Sequence, residues 1–355
     1  MNGTKRYLIC SDGEVFEGTS FGSLNDAMGE LVFTTGMCGY NETLTDPSYA
    51  GQIVIQTFPL IGNYGIIPED FEGKSLLKGY VVRDFCDTPS NFRSVMTLDA
   101  YLKEQGIPGI CGVDTRALTK RIRTSGVVNA MITSAIPDSL AELKAFRVTG
   151  AVEEATCQKI IKLSAKAPER FHVVLMDFGA KRNIAEELRG RGCAVSVVPA
   201  SADAETIRRM KPDGIMLSNG PGDPADNIGA IKTIAALLGE VPMFGICLGH
   251  QLTAIAAGGT TYKMKYGHRG ANQPVRDLNT GRTFITTQNH GYAVDPDSLC
   301  GKGVIRYVNA NDGTCEGIDY PDDGCFTVQF HPEACAGPKD TEFLFDRFIR
   351  MMEEQ

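Results

Sequence analysis

The chain contains no Cys-x-x-Cys pair, although 11 cysteines occur among its 355 residues. They are spread thinly from Cys10 to Cys335 and their count is odd. That excludes a zinc finger, a thioredoxin-type redox motif and a small disulfide scaffold. Histidines number only five, and they are too scattered along the chain to suggest a zinc site. Long apolar runs are missing as well. The longest, such as His172–Met176 and Ile234–Leu238, fall far short of a membrane span. The start reaches Asp12 without the apolar core of a signal peptide or an Arg/Ser-rich transit segment. The expected compartment is a reducing cytoplasm, where most cysteines serve as small buried hydrophobes. No Gly-x4-Gly-Lys-[Ser/Thr] loop occurs, and Gly220-Pro-Gly222 lacks the third glycine of a dinucleotide loop, so no nucleotide site is expected. An excess of positive charge is also absent. The formal net charge of −8 argues against a nucleic-acid or acidic-membrane binder.

What is present is ordinary globular composition, with 43% hydrophobic and 22% charged residues. At roughly 100–200 residues per domain, the length suggests two domains. Residues 1–150 are rich in Gly, Thr and short alternating runs: Tyr7–Cys10, Glu14–Phe16, Glu30–Thr34, Gln52–Thr57 and Gly79–Arg83. These predict a β-rich domain, with helices over Ser94–Glu104 and, behind an Asp cap, Asp114–Arg123. Pro137-Asp138 is expected to open a further helix, and residues 151–170 to form a linker ending in an exposed connector, Ser164–Arg170. From Phe171 strand and helix alternate: strands at His172–Asp177, Ala194–Pro199, Gly214–Ser218 and Val241–Ile246, each followed by a helical stretch. Strands this rich in β-branched residues suit a buried parallel sheet, so residues 171–355 read as an α/β domain. After Gly258 strands dominate until an amphipathic closing helix, Thr341–Met352, with Phe343, Leu344, Phe348 and Ile349 facing inward.

The most informative stretch is Val241-Pro-Met-Phe-Gly-Ile-Cys-Leu-Gly-His-Gln251. It places Gly245-x-Cys247-x-Gly249 between a strand and a helix, the nucleophile-elbow arrangement with cysteine in place of serine. A lone cytosolic cysteine at a tight turn is more often a packed core residue. The full string, with its glycines and its place at a helix N-terminus, argues for a thiolate nucleophile instead. The N–H of Leu248 is then positioned to face a developing oxyanion. A thiolate needs a base. His331 lies in Val328-Gln-Phe-His-Pro-Glu333, after an apolar strand. A His two residues from a carboxylate on an extended segment puts both side chains on one side, so Glu333 can orient and stabilise the imidazole. Alone, His-Pro-Glu reads as a turn; paired with the elbow, it reads as the rest of a Cys-His-acid triad. His250, in the elbow helix, is expected to be structural. His290, in the polar turn Gln288-Asn-His-Gly-Tyr292, suits substrate contact. His268 is expected on a loop and His172 as a packed or edge residue.

Three motifs in order, Ser218-Asn-Gly-Pro-Gly-Asp-Pro224, Gly245–Gln251 and His331-Pro-Glu333, resemble the class I (triad) glutamine amidotransferases. The first half is similar to the N-terminal domain of carbamoyl-phosphate synthase small subunits. The residues that carry this are Phe33-Thr-Thr-Gly-Met-Cys-Gly-Tyr-Asn-Glu-Thr-Leu-Thr-Asp-Pro-Ser-Tyr-Ala-Gly-Gln52, Asn63-Tyr-Gly65, Val81-Val-Arg-Asp84 and Ile107–Thr119. The resemblance implies a partner-docking N-terminal domain and a mostly parallel central sheet in the second. It implies glutamine hydrolysis through a Cys247 thioester, with His331 and Glu333 completing the triad and the N–H groups of Gly222 and Leu248 forming the oxyanion hole. Ser48, Gly220, Gly222, Leu248, Gln251, Asn289, Gly291 and Tyr292 would hold L-glutamine. No metal or cofactor is expected in this chain. ATP and Mg would be used by a large synthase subunit, which receives the ammonia and makes carbamoyl phosphate from bicarbonate for arginine and pyrimidine synthesis. Two readings stand beside it: an amidotransferase serving another synthase, and a non-catalytic regulatory subunit. The chain departs from the family pattern in Tyr292, usually Phe, and in Arg269 and Gln273, where histidines are common.

Overall fold

The computed structural model describes residues 3–334 and 336–355, and Cys335 lies outside them. The chain divides into two compact units between Ala151 and Val152.

In the first unit seven strands close into a barrel. Lys5–Cys10, which opens the chain's first run of buried positions, pairs antiparallel with both Val15–Gly22 and Val128–Thr133. Ala27–Thr34, Gln52–Gln56, Gly79–Val81 and Pro108–Cys111 complete the circuit, running parallel to one another in that order, while Pro108–Cys111 closes antiparallel on Val15–Gly22 and Ala27–Thr34 antiparallel on Val128–Thr133. Closure removes exposed strand edges, which a Gly-rich set of short strands would otherwise leave open. The expected helices are present but start at their caps. Thr97 caps Leu98–Glu104 and Asp114 caps Thr115–Ser125, each side-chain oxygen accepting from an N–H three residues on. Within the Phe33–Gln52 block the chain forms a short helix, Tyr40–Thr45, and a 3-10 turn, Pro47–Tyr49. Asp46 closes that turn by accepting from the Ser48 N–H at 2.9 Å, and Ser48 is buried. The helix expected at Pro137-Asp138 begins only at Ala141 and lasts five residues, because Ser139 rather than Asp138 accepts from the first helical N–H.

The second unit is built on a ten-stranded sheet. Its centre is parallel, in the spatial order Cys193–Pro199, Phe171–Asp177, Gly214–Leu217, Met243–Ile246, Cys325–Val328. Every residue of the last three is buried, as both faces are covered. On one flank the order continues antiparallel through Cys315–Tyr320, Val304–Asn309, Thr260–Asp277 and Thr283–Asp295. On the other, Ile161–Leu163 pairs antiparallel with Cys193–Pro199. The stretch 151–170, expected as a linker, therefore carries a one-turn helix, Ala151–Ala155, and an edge strand. The closing helix runs Phe343–Glu353. Phe345, not Phe343, faces inward with Leu344, Phe348 and Ile349. Phe343 is 39% exposed, because its position on the first turn turns it away from the core stack of Phe244 on Phe326 that Phe345 meets edge-on. Not all cysteines are buried small hydrophobes: Cys38 and Cys300 are exposed. Among the described residues, no helix is long and apolar enough to cross a membrane.

Candidate active site

The site forms where the parallel strands of the second unit end, the usual place for ligands on such a sheet. Strand Met243–Ile246 ends at Cys247 and the helix Leu248–Ala256 begins at the next residue. Cys247 has φ 53° and ψ −101°, a conformation that costs an L-residue free energy and persists only where its surroundings enforce it. Here they do. The Cys247 N–H donates to the Val328 carbonyl at 2.8 Å, and Gly249 N–H donates to the Ser218 carbonyl at 3.0 Å. The elbow also needs its second glycine, since a Cβ on Gly249 would lie 2.5 Å from the Leu217 carbonyl oxygen. Gly249→Ala should thus lower stability by roughly 1–3 kcal/mol, read as the urea midpoint, because the clash is with backbone and cannot be relieved by a rotamer. The Cys247 thiol is buried and donates to the Asn289 carbonyl at 3.7 Å.

His331 follows the strand Cys325–Val328 and is bridged to the edge strand Thr283–Asp295 by its own N–H, which donates to the Thr287 carbonyl at 2.9 Å. Its Nδ1 meets Glu333 Oε1 at 2.7 Å. Both side chains are fully buried, and the His331 Nε2 has no hydrogen-bond partner among the described residues. With Nδ1 on the carboxylate, Nε2 keeps its lone pair, as a general base requires. Burial alone would raise the Glu333 pKa, but the His331 imidazole and the Lys181 ammonium outweigh it and hold it below the ordinary carboxylate value. A depressed folded-state pKa stabilises above pH 4.5 and stops doing so as pH falls through the folded value. The urea-midpoint gap between wild type and Glu333→Gln should therefore be constant at neutral pH and close progressively below pH 4.5.

Lys181 was not legible as a site residue, nor was Asn183, whose side-chain amide donates to the Glu333 carbonyl. Lys181 ends the loop after strand Phe171–Asp177 and Asn183 lies in the first turn of the helix Arg182–Gly190 that follows, and position at the end of a parallel strand was the one signal available. Asn219 ties that loop to the next, accepting from the Lys181 N–H at 3.0 Å and donating to the Gly179 carbonyl at 3.0 Å. Gly220 packs so closely that a Cβ would meet the Phe178 carbonyl oxygen at 2.3 Å, and Gly222 has φ 87°. Leu248 opens the elbow helix, where N–H groups lack intrahelical partners. Gln251 spends its amide nitrogen on the Tyr292 carbonyl at 2.8 Å and on Gln329 at 2.9 Å, so that donor braces the site from behind. Asn289, Gly291 and Tyr292 sit on strand Thr283–Asp295 beside the thiol. Ser48 belongs to the first unit.

The remaining histidines divide sharply. His250 is buried against Thr327 at 2.8 Å, and burial pulls its pKa down to about 3, which suits a neutral structural residue. His172 meets Ser196 at 2.8 Å. His268 and His290 depart from expectation. Neither is on a loop or turn; they are paired partners on the antiparallel strands Thr260–Asp277 and Thr283–Asp295, with rings edge-to-face at 5.0 Å. Their side chains point away from Asn289 into a buried cluster with Glu316, so histidines remote in sequence meet through strand register.

A strained cysteine at the head of a helix, a His–Glu pair beside it and a Gly-Pro-Gly loop, all at one end of a parallel sheet, define a class I glutamine amidotransferase domain. The model of the family "Glutamine amidotransferase class-I" matches residues 174–351. The model "Carbamoyl-phosphate synthase small chain, CPSase domain" matches residues 8–132. A carbamoyl phosphate synthase pyrimidine-specific small chain of Bacillus subtilis is 51% identical over 351 residues, covering 98% of this chain and 96% of its own. A carbamoyl phosphate synthase small chain of Bacillus caldolyticus is 50% identical over 353 residues, covering 99% and 97%. The chain belongs to the carbamoyl-phosphate synthase small-chain family.

Proposed function

We propose that this chain is the glutamine-hydrolysing subunit of a carbamoyl-phosphate synthase. Cys247 Sγ attacks the glutamine carboxamide carbon, and His331 Nε2 takes the thiol proton and returns it to the leaving nitrogen, so ammonia departs and a γ-glutamyl thioester remains. Water attacks the thioester, His331 takes its proton, and glutamate leaves with the thiol restored. The N–H groups of Gly222 and Leu248 face the oxyanion in both steps. Gly220, Gln251, Asn289, Gly291 and Tyr292 are assigned to the glutamine site. The observation that carries this reading is Cys247 held at φ 53° on the elbow between strand and helix, a conformation enforced by its neighbours.

The ammonia is consumed by a separate large chain that uses ATP and Mg with bicarbonate; no nucleotide motif is present here. The name of the Bacillus subtilis relative supports a place in pyrimidine synthesis, with arginine synthesis as the second outlet. The test mixes the purified chain with a carbamoyl-phosphate synthase large chain, ATP, bicarbonate and glutamine. Glutamate and carbamoyl phosphate should form in step. Glutamate release without carbamoyl phosphate points to another synthase, and release of neither supports the regulatory reading.

A further inference from the structure

The His268–His290–Glu316 cluster has a chemistry that the glutaminase mechanism does not use. All three residues are buried. One ligand atom from each lies within 4.8 Å of the others, and among the described residues no other group has this property. The outer nitrogen of each ring faces an acceptor. His268 Nε2 lies 2.9 Å from Asp312 Oδ2, and His290 Nδ1 lies 2.8 Å from the Tyr292 carbonyl. Protonating those outer nitrogens is the arrangement of metal-ligating histidines, which donate outward to a carboxylate or carbonyl and turn the other lone pair inward. The inner nitrogens then lie beside oxygens that are also acceptors: His268 Nδ1 meets Glu316 Oε1 at 3.2 Å, with the Asn309 amide nitrogen 3.4 Å away, and His290 Nε2 meets Gln288 Oε1 at 3.2 Å. The Gln288 amide cannot simply be turned over, because its nitrogen already donates to Glu316 Oε2 at 3.0 Å and to Thr286 at 3.3 Å. The His290 Nε2–Gln288 Oε1 contact thus sets two lone pairs face to face in a buried site, and a cation held between these groups and Glu316 relieves it.

We propose that His268 Nδ1, His290 Nε2, the Glu316 carboxylate and Gln288 Oε1 form a structural site for a divalent transition metal of the zinc type. Two imidazoles, a carboxylate and an amide oxygen suit zinc or cobalt better than magnesium or calcium. Four tetrahedral ligands sit about 3.3 Å apart, so the donors must draw in by about an ångström. Glu316 and Asp312 together balance the ion's two charges. The Asp312 side chain is 44% exposed and provides the route in from solvent. Bound there, the ion joins the strands Thr260–Asp277, Thr283–Asp295 and Cys315–Tyr320, and so fastens the strand whose Asn289 carbonyl meets Cys247.

The test uses the full chain as Cys247→Ser, so that the catalytic thiol offers no ligand. It is stripped with a chelator and titrated with Co(II). The expected result is one ion per chain, with the d–d absorption of a nitrogen–oxygen site, no sulfur charge-transfer band, and displacement by zinc. Glu316→Gln should weaken binding at least tenfold, and Asp312→Asn by about 10–100-fold. Because Asp312 is at the rim, its variant serves where Glu316→Gln fails to fold. His172→Gln, a control at a half-buried histidine outside the cluster, should bind as the parent does. No Co(II) spectrum at stoichiometric metal, or affinity unchanged in both cluster variants, overturns the proposal and leaves a network closed by a shared proton.

Discussion

Replacing Cys247 by serine should abolish glutamine-dependent carbamoyl phosphate formation, lowering it by at least about 10³-fold, while leaving ammonia-dependent formation by the paired large chain intact. The substitution changes one atom. Cys247 is held by its own N–H on Val328 and by the Gly249 N–H on Ser218, and a serine keeps both contacts. The fold should survive. What is lost is the nucleophile: a hydroxyl is far harder to deprotonate than a thiol, and the buried imidazole evolved beside sulfur cannot generate an alkoxide at the same rate. Glutamate release by the chain should fall by the same factor, because thioester formation precedes every later step. Loss of ammonia-dependent synthesis as well would mean that the change had disturbed assembly, and Cys247 would then be structural. Full retention of glutamine use would remove it from the mechanism altogether.

The elbow at Cys247 and the His331–Glu333 pair were legible because each piece is local. An elbow is specified by glycines two residues on either side of its nucleophile, and the His331–Glu333 contact at 2.7 Å is made across two residues, though in a turn through Pro332 and Glu333, closed by the Ala334 N–H on the His331 carbonyl, and not on the extended segment expected. The parallel strands were legible for a similar reason, since continuous runs such as Val173–Met176 are buried on both faces. What remained hidden depends on pairing between distant segments. Barrel closure joins Lys5–Cys10 to Val128–Thr133, and nothing in either run names the other. His268 and His290 are opposite each other only because of one register in a long, bulged antiparallel pair, and Glu316 comes from a third strand. Phe343 and Phe345 show the same limit at small scale: both are apolar at the start of an amphipathic helix, and only the position of the helix on Phe244 decides which is buried.

His331→Asn should cost at least about 10³-fold in kcat for glutamine hydrolysis, and Glu333→Gln between about 10² and 10⁴-fold, each with little change in KM. The split follows from what each group touches. His331 Nε2 is the buried nitrogen without a hydrogen-bond partner among the described residues, and in the proposed mechanism it carries a proton in both half-reactions, so its loss removes the base for attack and the acid for ammonia departure. Glu333 touches no substrate. It fixes the ring through Nδ1 and, as an anion supported by Lys181, stabilises the imidazolium that forms when the thiol is deprotonated. Glutamine in place of Glu333 can still accept from Nδ1 through its amide oxygen, so orientation is partly kept, but the charge is gone. The loss should therefore be smaller than that of His331→Asn and confined to kcat, because neither side chain holds glutamine in the ground state. Steady-state kinetics with circular dichroism as a fold check decides the matter. A Glu333→Gln chain whose kcat stays within a few-fold of wild type would show that the carboxylate serves folding alone, and the acid member of the triad would have to be sought elsewhere.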